Sequence, residues 1–179
     1  MHTPAVLSTL LLPLLTLAAP RQSAPTGALV VGPSGTYNTI SSAVAAISGT
    51  SPVTIFIQPG TYSEAVYIPA SLKAAVTIYG STPEDSDYRQ NTVTITHSSS
   101  LSQAGSDDET GTLRAWNDGF KLYNVNVVNS FGEGEQAIAL SAYGNEQGFY
   151  GCQFKGYQDT VLANQGKQVY GKSYIEGAV

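Results

Sequence analysis

The chain has 179 residues, enough for one domain with a sizeable core, and is 42% apolar but only 12% charged. Helical bundles carry far more Lys and Glu on their outer faces, so 18 Gly, 9 Pro and abundant Val, Thr, Ser and Tyr point to β-structure. A net charge of -5 with no basic run excludes a nucleic-acid footprint and a cationic membrane-binding surface.

The first eighteen residues form their own block, nearly all apolar from Ala5 to Ala18 and interrupted by Pro13. That run is too short to span a bilayer comfortably. Thr16-Leu17-Ala18 places small residues where a signal peptidase reads them, so residues 1–18 are expected to be a cleaved export signal and the mature protein extracellular. The alternative is a buried strand or helix of the mature domain. Residues 19–27 are polar and expected to be flexible. With one cysteine, Cys152, no internal disulfide is available, and a buried core thiol is the expected state.

Ala28–Val31 reads as a strand ended by Gly32-Pro33. Thr39 is placed to cap a short helix whose apolar residues Ile40, Ala43, Val44 and Ile47 share one face. One short helix before many strands suggests a lid over the open end of a β-core, protecting its edge. Short apolar runs follow at 53–57, 75–79, 92–96, 120–128, 137–142, 148–154 and 168–175, with no helical pattern between them. That argues against a doubly wound α/β sheet.

A repeat is visible late in the chain. The segments starting at Leu122, Phe149 and Val169 align at offsets of 27 and 20 residues, within the range of a solenoid with one coil per repeat. This register makes one column of Tyr123, Tyr150 and Tyr170 and another of Val127, Phe154 and Tyr174, both on the same face. The column between them, Val125 and Cys152, is broken by Lys172. Tight hairpin signals are scarce, which favours a solenoid over an antiparallel sandwich.

Few residues offer chemistry. His97 is the only histidine beyond the export segment and no G-x-S-x-G elbow exists, so neither a serine triad nor a zinc site is expected. The G-x-G-x-x-A match at Gly132–Ala137 carries two glutamates that would repel a pyrophosphate and lies in no βαβ unit. Asp107-Asp108-Glu109 reads as a solvated loop, without calcium-ligand spacing. What remains is Gln136, opening an apolar run, and Gln158-Asp159, 23 residues beyond it counted from Gln136 to Asp159, about one coil. Stacked on neighbouring coils, two amides and a carboxyl suit acyl transfer, which needs oxyanion donors and a proton-transfer group. The alternative is a turn satisfied by Asp159.

Three segments together resemble the pectin methylesterase family, above all its fungal members: Gly60-Thr61-Tyr62-Ser63-Glu64, Gln136-Ala137-Ile138-Ala139-Leu140 and Gly156-Tyr157-Gln158-Asp159-Thr160. Order and separation fit, and the similarity runs from about Ala28 to Val179. The resemblance implies a right-handed parallel β-helix over 28–179 with a short N-terminal capping helix. It also implies hydrolysis of methyl esters on polygalacturonate, without a cofactor, by a monomer when complete. Carried over residue by residue, Asp159 is the general acid and then base, and Gln136 and Gln158 are the oxyanion donors. Gln136, Tyr143 and Tyr157 are placed to contact pectin. The family's nucleophilic Asp follows directly on a segment like Ser173–Val179 and is not among these residues, so the chain as given is expected to be inactive and aggregation-prone. A non-catalytic pectin-binding solenoid and a calcium-dependent polysaccharide lyase stay open as other readings.

Overall fold

An apolar run of three to five residues cannot bury a face alone, and here the chain solves this by winding each run onto the previous one. The computed structural model describes residues 20–179, so the export signal expected at 1–18 lies outside the described residues. Strand β1 (Leu29–Val31) and helix α1 (Ile40–Ala45) precede the coils. The first coil is β2 (Val53–Ile57), β3 (Gly60–Ser63) and β4 (Val66–Ile68). The second is β5 (Val76–Gly80), β6 (Val93–His97) and β7 (Leu113–Ala115). The third is β8 (Lys121–Tyr123), β9 (Asn126–Asn129) and β10 (Leu140–Ala142). The fourth is β11 (Gln147–Tyr150), β12 (Gln153–Lys155) and β13 (Val161–Ala163), and β14 (Gln168–Gly171) and β15 (Tyr174–Glu176) begin a fifth.

Equivalent strands stack into three parallel sheets, β1-β2-β5-β8-β11-β14, β4-β7-β10-β13 and β3-β6-β9-β12-β15. This is the expected parallel β-helix, with the right-handed connection that parallel crossovers take. Its interior is filled by columns such as Ile55–Ile78–Leu122–Phe149–Tyr170 and Ile95–Val127–Phe154. The lid is where the sequence places it: Thr39 accepts the Ser42 N–H, and Ile40, Ala43 and Val44 join the core. Arg21, inside the stretch expected to be flexible, is anchored. It exchanges backbone hydrogen bonds with Thr82, pairs with Asp85 and lies 4.4 Å over the Tyr79 ring.

The repeat holds at its first offset and slips by one residue at its second. Phe149 pairs with Tyr170 and Phe154 with Ile175, so the last offset is 21 residues, not 20. A slip of one moves every side chain to the opposite face. Tyr170 therefore packs with Phe149, while Tyr123 and Tyr150 stack outside at 4.9 Å with Tyr79 beyond them. The two columns do not share a face either, because a left-handed corner interrupts the alternation: Asn124, Gly151 and Lys172 have φ of 54°, 60° and 53°. Lys172 thus occupies the corner, and the Val125–Cys152 column passes on to Ser173 undisturbed.

Cys152 is fully buried and donates to the Leu122 carbonyl, and burial pushes its thiol up to about 12. A water-soluble aromatic disulfide reagent at pH 8 should leave Cys152 untouched in the folded protein and titrate one thiol after denaturation. Because an unfolded thiol ionises first, Cys152 should also lower stability as pH rises above about 8.5. Stoichiometric labelling of the native state would contradict this placement.

Candidate active site

Gln136 leads into β10 and Gln158-Asp159 leads into β13, its neighbour in the second sheet. Backbone bonds join the two approaches: Ala137 N–H donates to the Gln158 carbonyl (3.1 Å) and Ala139 N–H to that of Thr160 (3.0 Å). The residues read as one coil apart are therefore on adjacent coils, about 4.8 Å apart along the axis. The loop at 98–104 holds the entry to β10. Leu101 N–H donates to the Gln136 carbonyl (3.0 Å) and Ser102 N–H to Glu135 Oε2 (2.8 Å), a bond that holds the Glu135 carboxyl below its usual range.

Asp159 has a left-handed backbone, φ 58°, which is uncommon away from glycine. A turn aspartate normally bonds its own neighbouring backbone. The Asp159 carboxylate accepts no hydrogen bond from the described residues and is exposed in a concavity of about 420 Å³ lined by Thr160, Val161, Ile175 and Gly177–Val179. Its N–H donates to the Val179 carbonyl at 3.0 Å. Tyr157 lines a separate concavity with Val128, Lys155 and Glu176. Tyr143 lies just past β10, half-buried against Trp116.

Next to Tyr143 the structure corrects the reading of 107–109 as a solvated loop. Asp107 and Glu109 are exposed, but Asp108 is only 7% exposed. Its Oδ2 accepts from Arg114 Nε (2.9 Å) and Nη2, and its Oδ1 from Trp116 Nε1 (3.0 Å) and Ser141 Oγ (2.6 Å). Burial pushes this carboxyl up, yet the hydrogen bonds from Arg114, Ser141 and Trp116 outweigh burial and hold it below the usual range. The signal that could have found this cluster is the alternation Leu113-Arg114-Ala115-Trp116, which sets a cation and an indole opposite two buried residues.

The first of the three boxes is structural. Glu64 accepts the Ile40 N–H (2.8 Å), the Ser41 N–H (2.9 Å) and the Ser41 hydroxyl (2.5 Å), so its carboxylate caps α1 across 24 residues of chain. Tyr62 donates to the Gln58 carbonyl at 2.8 Å.

A family model described as pectinesterase matches residues 28–179. The chain belongs to the pectinesterase family. It is 50% identical to a pectinesterase of Aspergillus niger over 98% of this chain and 54% of that protein. It is 52% identical to a probable pectinesterase A of Aspergillus fumigatus over 89% of this chain and 49% of that one. The crystal structure of the Aspergillus niger pectin methylesterase superposes with a TM-score of 0.85 at 47% identity, covering 88% of this chain and 52% of that one. The carrot pectin methylesterase gives 0.75 at 27%, covering 87% and 48%. The chain thus spans about half the length of the pectinesterases it matches.

The depressed Asp108 carboxyl adds stability that is fully present above the unfolded carboxyl value, near pH 4, and lost as pH falls through the folded value. The melting temperature should therefore fall more steeply below pH 4 in the wild type than in Asp108→Asn, whose amide has no proton to gain. Parallel pH profiles would contradict the assignment.

Proposed function

We propose that this protein removes methyl esters from pectin, releasing methanol and leaving galacturonate carboxylates, and that it acts outside the cell behind the apolar segment at 1–18. Family membership supplies the reaction class. What supports the site is the backbone bond that joins the approaches on adjacent coils, Ala137 N–H to the Gln158 carbonyl, together with the bond from Asp159 N–H to the Val179 carbonyl. That bond sets Val179, three residues past β15, beside Asp159, so a carboxylate directly after it would stand one coil from the proton-transfer group.

In the reaction that carboxylate attacks the ester carbonyl carbon. The amides of Gln136 and Gln158 donate to the oxyanion that develops, a contribution of about 10²–10³ in rate for one donor. Asp159 protonates the departing methoxy oxygen, so methanol leaves and an acyl-enzyme remains. It then takes a proton from water, whose oxygen attacks the same carbon and releases the nucleophilic carboxylate. Tyr143 contributes a ring to the polysaccharide contact beside this centre. Among the described residues, no helix is long and apolar enough to cross a membrane.

Methanol release from highly esterified pectin tests the assignment in the polypeptide that the full transcript encodes. Asp159→Asn should lower kcat by about 10²–10⁴ with little change in KM. A variant that turns over at the wild-type rate would sink the role given to Asp159.

A further inference from the structure

Gln136 stands on backbone that no strand ladder fixes. Between the end of β9 at Asn129 and the start of β10 at Leu140, residues 130–139 form an irregular excursion. A ladder supplies backbone partners by repetition, whereas an irregular segment has to find them in side chains and loops. Here one side chain provides several. Asn129 is only 3% exposed. Its Nδ2 donates to the carbonyls of Ser99 (2.9 Å), Thr110 (3.0 Å) and Ile138 (3.1 Å). Its Oδ1 accepts the N–H of Phe131 (3.2 Å) and that of Ser99 (3.4 Å). Among side chains of this size, only a carboxamide offers both donors and an acceptor in one plane. Asp in its place would turn an oxygen toward three carbonyl oxygens, and Leu would leave buried backbone groups unpaired.

These bonds reach the backbone of Gln136 by two routes. Ile138, two residues on, is held at both of its backbone groups. Its N–H donates to Thr110 Oγ1 (3.0 Å), and its carbonyl accepts from Asn129 and from Thr112 N–H (3.1 Å). The Gln136 carbonyl accepts from Leu101 N–H, and the loop at 98–104 that supplies this donor is tied at Ser99 to both ends of the Asn129 amide. Asn129 thus ties the backbone carrying Gln136 to segments of the second coil, while the bond from Ala137 N–H to the Gln158 carbonyl ties it to the fourth. Oxyanion donors are effective because they are in place before the charge develops. A displacement of about 1 Å can cost about 10² in rate.

Granted the oxyanion role given to Gln136 above, we propose that Asn129 is a positioning residue for that amide, fixing the backbone from which Gln136 donates. Methanol release by the polypeptide that the full transcript encodes is measured for Asn129→Ala, Gln136→Ala and the double variant, each well below its own melting temperature. A residue that acts through Gln136 has nothing left to act on once that amide is gone. Asn129→Ala should therefore lower kcat about tenfold or more with KM within about twofold, yet cost less than about twofold in the Gln136→Ala background. Thr110→Val, which removes the acceptor of the Ile138 N–H, should show the same dependence on Gln136 and replaces Asn129→Ala should that variant not fold. Where Gln136→Ala is slow, an equal loss in both backgrounds, or no loss in either, overturns the positioning role and leaves the oxyanion donor standing. Wild-type kcat in Gln136→Ala overturns both.

Discussion

A coil of this protein has no interior of its own. Each turn offers one row of inward side chains and two rows of unpaired backbone groups, and both needs are met only by the turns above and below. That constraint accounts for the short strands, the parallel pairing in all three sheets and the columns of like residues. It also explains why loops of very different length are tolerated between β5 and β7, since an excursion that returns in register leaves the ladders intact. At the growing end the same constraint is met by α1, which places Ile40, Ala43 and Val44 over the first coil and is itself held by the Glu64 carboxylate.

The candidate chemistry uses this regularity as a ruler. Residues on adjacent coils are separated by one strand spacing without any local design, and the backbones at Gln136 and Gln158-Asp159 enter neighbouring strands at similar heights. What is locally built is the departure from regularity. Asp159 takes a left-handed backbone, and its carboxylate accepts no hydrogen bond from the described residues. Asp108, by contrast, is surrounded by them, and its charge is neutralised by Arg114. Two aspartates on one side of the helix thus have opposite environments: one exposed in a concavity, the other holding three side chains in fixed relation.

The strands most legible in the sequence were those with several buried residues, such as Val53–Ile57 and Val93–His97. The strands that escaped notice, β3, β4, β7 and β13, have only three or four residues, and β3 buries none of them fully. The runs at 120–128 and 148–154 looked continuous because their corners fall on Asn124 and Gly151, whose positive φ leaves no mark in hydropathy. The register slip has the same origin: Tyr170 and Gly171 match Tyr150 and Gly151 in type, while the structure aligns Tyr170 with Phe149. Gln136, Gln158 and Asp159 stand out in the sequence because polar residues interrupt apolar runs at a coil-length interval, while the roles proposed for them come from the family resemblance. Asp108 was not, since its partners come from a loop and two strands, and only the stacking of β7 on β10 brings them together.

The strap formed by Arg21 bears on how the protein assembles. Its partners are Thr82, Asp85 and Asn124, and the last lies 103 residues further along the chain. Loop closure over such separations carries an entropic cost before any contact repays it, and non-local topologies fold slowly for that reason. During synthesis, the segment around Arg21 leaves the ribosome long before the corner at Asn124 exists to receive it. The segment around Arg21 is therefore completed only after the middle of the chain.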